Sequence, residues 1–348
     1  MRQDDAVVEA AQRIGKALYH ENLDEALGGH SREHLLGSVR RLAEASFAGD
    51  RESELHMHRL LYRMNTASLA RPWEQATLNV QHPFIHQARS VLEEAWERRD
   101  LARHAESLQK LPPAEQFPEW IKERVRAHGS NVSHPLFAFL RERATFQQLR
   151  MFFLQETPFD IFFGDILLMM MPGIYGGMKQ ELCLNFWDEM GHGEVPRMHR
   201  SLRLRMMEKL DIAADHHLTH VEDYYLEELR LANMYFDSVL NRRKLPQAIG
   251  MMLATELMVP GRLDHQIEGW RRVHLKDEDM VYLLEHCVVD IEHSRGWMNN
   301  VVIPLLRERP MLMRDLTLGV ERRLENAGAV CDKMLTLFDS QNSQAHAG

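Results

Sequence analysis

The sequence predicts an all-α protein, and three observations lead there. Nineteen glycines and thirteen prolines are few for 348 residues, and methionine, with leucine, glutamate and arginine, is abundant; all four favour helix. Short β-branched runs of period two between Asn-Gly or Asp-Gly turns are nearly missing. Apolar positions recur instead at intervals of three and four.

Each element follows from that pattern. The first helix spans roughly Asp4 to Tyr19, with Val7, Val8, Ala11, Ile14 and Leu18 on one face, and Gly28-Gly29 interrupts the pattern. A second begins at Glu33, a third runs from Glu52 to Ala70 and ends at Arg71-Pro72, and a fourth from His86 to Arg103. Leu111-Pro112-Pro113 and Phe117-Pro118 form the best linker, because two proline clusters so close cannot share one helix. A boundary near residue 130 divides an N-terminal helical region, 1–130, from a domain at 131–338. There the helices are longer: Phe137 to Asp165 with a kink at Pro158, Gly176 to Gly191, Val195 to Leu210, and His216 to Asn241. Leu245 to Trp270 with a break near Pro260, Asp277 to Leu306, and Pro310 to Phe338 complete the set. The tail 339–348 is almost devoid of apolar positions and is expected to be disordered.

Composition narrows function. Hydrophobic residues make up 45% and charged residues 27%, which fits an ordinary folded core. A net charge of −9 argues against nucleic acid or anionic lipid as a partner. Cys183, Cys287 and Cys331 are too few for a disulfide framework or a thiolate metal site. The first residues lack a secretion signal, and no stretch approaches the roughly 20 apolar residues that span a bilayer. The expectation is a cytoplasmic chain outside the membrane.

The sharpest chemical signal is His286, Asp290 and His293 in LLEHCVVDIEHSRGW. At about 100° per residue, Asp290 lies about 40° to one side of His286 and His293 about 20° to the other. Leu283, Leu284, Val288, Val289, Trp297 and Val301 make the rest of the helix apolar, so this polar stripe sits where a buried helix would carry leucine. Two imidazoles and a carboxylate suit iron, manganese or zinc. Further donors occur in ELCLNFWDEMGHGEVPRMH: Glu189 ends a helical run, Gly191 and Gly193 break it, and His199 follows ten residues on. On a straight helix those two would point about 80° apart, so the glycines must turn the chain if both are to face one point. His192 competes for the same role, three residues from Glu189. A further carboxylate, Glu156, stands in the aromatic run FFLQETPFDIFFGD, where burial is unfavourable unless it is paired or metal-bound.

The order Glu156, Asp188-Glu189-x-Gly-x-Gly-x5-His199, His286-x3-Asp290-x2-His293 resembles the haem-oxygenase-like di-iron oxidases and oxygenases over roughly residues 136 to 310. The resemblance implies a seven-helix bundle and two ferrous ions held by Glu156, Glu189, His199, His286, Asp290 and His293, with dioxygen as cosubstrate and an external electron donor. His192, between the glycines, departs from the family's pattern. Asp188, His192, Trp297 and Arg295 are candidates to orient ligands or touch substrate. The Asp-Glu motif and the preceding helical region look most like the N-oxygenating branch, the streptozotocin- and azomycin-pathway N-oxygenases. By that likeness the chain is a homodimer that oxidises a primary amine or guanidine-type nitrogen toward hydroxylamine, nitroso or nitro, with an aminoimidazole as one candidate substrate. Desaturation or C–C cleavage of an amino or fatty acid is the alternative within the family. A helical iron-binding protein without catalysis is the rival from another class. Carboxylates at Glu156, Glu189 and Asp290 would match a porphyrin poorly, which sets haem aside.

Overall fold

The computed structural model describes residues 3–347. Helices and turns make up the ordered elements, and no strand occurs among the described residues. No helix there is long and apolar enough to cross a membrane. The chain divides into two compact units, Met1–Ala105 with Leu218–Asp237, and Glu106–His217 with Ser238–Gly348. This division does not coincide with a boundary near residue 130. The segment Leu218–Asp237 groups with the N-terminal unit through contacts remote in sequence, which local pattern cannot reveal.

In the N-terminal unit the main helices are Gln3–Ala17, Arg32–Phe47, Arg51–Ser68 and Pro83–Arg103, with most of Leu226–Leu240. Side chains at the helix starts set the boundaries. Ser31 accepts from the backbone N–H of His34, and Asp50 from those of Glu52 and Ser53, which satisfies donors that the first helical turn leaves open. Val39, Leu42, Leu60, Leu61, Leu92 and Trp96 are buried. Several polar groups in this core are paired. Asn233 donates to the His58 carbonyl at 2.8 Å and accepts from Asn65 at 3.1 Å, and Glu54 accepts from Arg99 at 2.8 Å and from Arg230 at 2.6 Å.

In the second unit the Leu245–Arg272 helix packs against Met313–Ala347, Val281–Gly296 and Pro135–Glu142. Two glycines permit the tightest crossing. A Cβ at Gly250 would lie 2.0 Å from the Leu316 carbonyl oxygen, and one at Gly319 would lie 2.0 Å from that of Gln247. The backbones meet where any larger residue would hold them apart.

Several expected boundaries differ. The anticipated Phe137–Asp165 helix is split into Pro135–Glu142 and Phe146–Asp160 by a reciprocal cap, in which Thr145 accepts from the Gln148 N–H and Gln148 accepts from that of Thr145. Pro158 sits inside the second piece without ending it. The Leu245–Arg272 helix runs through position 260 without a break. The expected Asp277–Leu306 helix resolves into Val281–Gly296, a wide π-type turn at Trp297–Val302 and Ile303–Glu308. The last helix, Met313–Ala347, continues through the tail expected to be disordered.

Candidate metal centre

The Gly176–Glu189 helix ends on Glu189, and the His199–Lys209 helix begins on His199. Between them Gly191, His192 and Gly193 take positive φ values of 58°, 55° and 87°. Three left-handed residues in succession reverse the chain tightly. Gly191 is also confined by contact, since a Cβ there would lie 2.3 Å from the Arg197 carbonyl carbon and 2.5 Å from the Met198 nitrogen. This fold-back sets His199 Nδ1 2.8 Å from Glu189 Oε1, with both side chains buried. The glycine pair thus performs the turn that the sequence requires for these two residues to meet.

The Val281–Gly296 helix brings His286 to the same point, its ring centroid 4.4 Å from that of His199. Among the described residues, Glu189, His199 and His286 form a group that could hold a metal ion, with one ligand atom from each lying within 4.8 Å of the others. His286 Nδ1 is 2.7 Å from the Tyr282 carbonyl oxygen. A neutral imidazole donating there keeps the Nε2 lone pair free for a cation. Burial, then His199, lowers the His286 pKa to about 4, so the ring is neutral at physiological pH.

Burial would depress His199 as well, but the Glu189 carboxylate outweighs it and the net shift is upward. Glu189 moves the other way. Burial disfavours its charge, yet the charge of His199 and their hydrogen bond bring it below the ordinary carboxylate range. Without metal the two form an ion pair, and a cation would take the place of the imidazole proton.

His293 lies two turns beyond His286 and is buried. Its Nε2 is 2.8 Å from Asp188 Oδ2, and its Nδ1 is 3.7 Å from Glu256 Oε2. Glu256, on the Leu245–Arg272 helix, is 4% exposed, and its Oε2 makes no hydrogen bond within 3.5 Å among the described residues. Burial raises its carboxyl, His293 opposes that, and the Glu189 and Glu181 carboxylates reinforce it. A buried carboxylate oxygen without a donor, facing an imidazole that another carboxylate orients, is a fit for a cation. Sequence reasoning passed over Glu256. The available signal was a single acid within the apolar run MMLATELMVPG.

The side chain of Asp290 lies outside the described residues. Glu156 has an amide neighbour. Its Oε1 accepts from Gln266 Nε2 at 3.1 Å, and burial, then Asp160, raises its carboxyl to about 8. Burial in an apolar setting favours the neutral carboxyl, and the hydrogen bond from Gln266 opposes it. Asp160 pairs with Arg203, which also donates to the Phe153 carbonyl at 2.9 Å and lies 5.1 Å from the Tyr282 ring. Tyr282, four residues before His286 and hence on the same stripe, separates this pair from the imidazoles.

The orienting candidates divide. Asp188 spans His293 and His192, its Oδ1 lying 3.1 Å from His192 Nε2. His192 itself is half-exposed and edges onto the Trp187 ring at 6.2 Å. Trp297 is fully buried and donates to Asn185 at 2.8 Å, which joins the two ligand-bearing helices. Gly296 permits this approach, since a Cβ there would lie 2.0 Å from Glu181 Oε1. Arg295 is exposed.

A helical bundle that turns a carboxylate and two imidazoles toward one interior point is the architecture of helical metalloenzymes. Residues 150–328 match the family of iron-containing redox enzymes. The chain belongs to that family, in the haem-oxygenase-like superfamily, and is an iron-dependent oxidoreductase. No curated protein matches the sequence.

Proposed function

We propose that the chain is a non-haem di-iron oxygenase that uses dioxygen to oxidise a primary amine or guanidine-type nitrogen. The observation that carries the metal reading is the convergence of Glu189, His199 and His286 within 4.8 Å. One iron is assigned to these three. The second is assigned to His293 and Glu256, with Asp290 completing the stripe. Iron held there supplies the electrons that reduce dioxygen, and an external donor restores them.

The protein's own contributions follow from the geometry. Glu189 and Glu256 would hold the metals and offset their positive charge. The Tyr282 carbonyl fixes which nitrogen of His286 carries the proton, and Asp188 does the same for His293. The Tyr282 ring and the Arg203–Asp160 pair close one side of the site and limit water. Nitrogen as the oxidised atom rests on the likeness of Asp188-Glu189-x-Gly-x-Gly and the preceding helical unit to the N-oxygenating branch. The same likeness supports a homodimer.

Anaerobic ferrous titration tests the metal assignment. Two irons per chain are expected, with one in Glu256→Gln and two in Glu156→Gln. Wild-type stoichiometry in Glu256→Gln would remove Glu256 from the site. Turnover of candidate amines under isotopically labelled dioxygen tests the chemistry. Label retained on nitrogen is expected, whereas an unlabelled alkene or a shortened carbon skeleton would replace N-oxidation by desaturation or cleavage. Slow mineral growth without turnover would make the protein an iron store.

A further inference from the structure

The N-terminal unit contains a cavity of about 460 Å³, bounded by the Gln3–Ala17 and Arg51–Ser68 helices and the turn at Val221–Asp223. Cations dominate its polar lining. Lys16, Arg59 and Arg63 face it together with His56 and a single carboxylate, Glu222. That carboxylate is already engaged, since Arg63 Nη2 donates to Glu222 Oε1 at 2.7 Å. Arg59 Nη2 donates to the Glu222 backbone carbonyl at 2.7 Å, and its buried Nε makes no hydrogen bond among the described residues. Lys16 makes no ion pair among the described residues. Burial, then the Arg59 charge, holds the His56 pKa below its ordinary value. A neutral imidazole there can donate or accept without adding charge. Leu60, Ala11 and Gly15 supply an apolar floor.

We infer that this cavity is a binding site for a small oxyanion, a phosphate monoester or a carboxylate on a short aliphatic stem, held by Lys16 and Arg59. A guanidinium lining the cavity and an ammonium that makes no ion pair among the described residues are the donors such a group takes up in charge-assisted hydrogen bonds. The floor accommodates a short aliphatic stem. Nothing in this inference rests on the metal centre, which lies in the other unit.

Titration calorimetry of the full chain with inorganic phosphate and, separately, succinate tests it, each against sodium chloride at equal ionic strength. Saturable binding of at least one anion is expected. It should weaken about tenfold in Lys16→Gln, as the loss of one charged hydrogen bond predicts. Lys16 is exposed, so that variant should melt like the wild type without anion. Arg59→Gln should weaken binding similarly. Tighter phosphate binding identifies the phosphate class, and tighter succinate binding the carboxylate class. Absence of saturable binding by both, or equal binding by wild type and Lys16→Gln, would overturn the inference.

Discussion

Replacing Gly191 by alanine should break the metal centre without touching a ligand. The new Cβ would lie 2.3 Å from the Arg197 carbonyl carbon, about 1 Å short of the 3.4 Å at which ordinary contact begins. Both parties are backbone, so no side chain can swing away. The φ of 58° adds about 1–2 kcal/mol for a residue with a Cβ. Relieving the overlap costs about 1–3 kcal/mol more. The simplest relief moves the Arg197–Met198 peptide outward by about that missing ångström, and His199 moves with it. The 2.8 Å contact with Glu189 would then lengthen beyond hydrogen-bond range. Misplacing a ligand in this way should weaken iron binding by roughly 10- to 100-fold. Ferrous titration and a thermal melt read the two effects together. His192→Gly is the control, because it relieves a left-handed non-glycine residue and creates no overlap; it should melt no lower than wild type and keep full iron stoichiometry. Wild-type iron affinity and melting temperature in Gly191→Ala would refute the claim that this turn positions the site.

Two further outcomes are expected. The upward shift of His199 and the downward shift of Glu189 make their ion pair fully stabilising in the metal-free protein between the usual values of about 4.5 for the carboxyl and 6.5 for the imidazole. Its contribution fades as pH rises through the raised imidazole value or falls through the lowered carboxyl value. Iron must displace the His199 proton, so its affinity should rise with pH through that range and binding should acidify an unbuffered solution; affinity independent of pH with no proton release would contradict the pairing. Asp188→Asn should lower iron affinity about 10- to 100-fold, because the His293 ring loses its charged partner at 2.8 Å; unchanged affinity would show that the ring is held by its packing alone.

Much of the centre was legible because it depends on short-range rules. The stripe of His286 and His293 follows from helical period, and the need for a turn between Glu189 and His199 follows from the glycines. Glu256 was not legible, since its role arises only when the Leu245–Arg272 helix packs against the histidine helix. Glu156 was legible as a buried acid. An acid among aromatic residues does indicate burial, and in the metal-free chain burial raises the carboxyl while Gln266 donates to it. Proline misled for a related reason. Position 260 lies inside a long helix that packs against several other helices, so tertiary packing overrides the local preference to break. The grouping of Leu218–Asp237 with the first hundred residues is a long-range arrangement that no window of sequence contains.

The two histidines of the late helix differ in what anchors them. His286 leans on the main-chain oxygen of Tyr282, which every residue type at that position would also present, so substitution cannot delete this anchor. His293 depends on the side chain of Asp188, which one codon change removes and which His192, at the protein surface, also touches. One imidazole is therefore invariant by construction and the other adjustable. Variation among related chains in the redox behaviour of the bound iron would be expected to accumulate around the second.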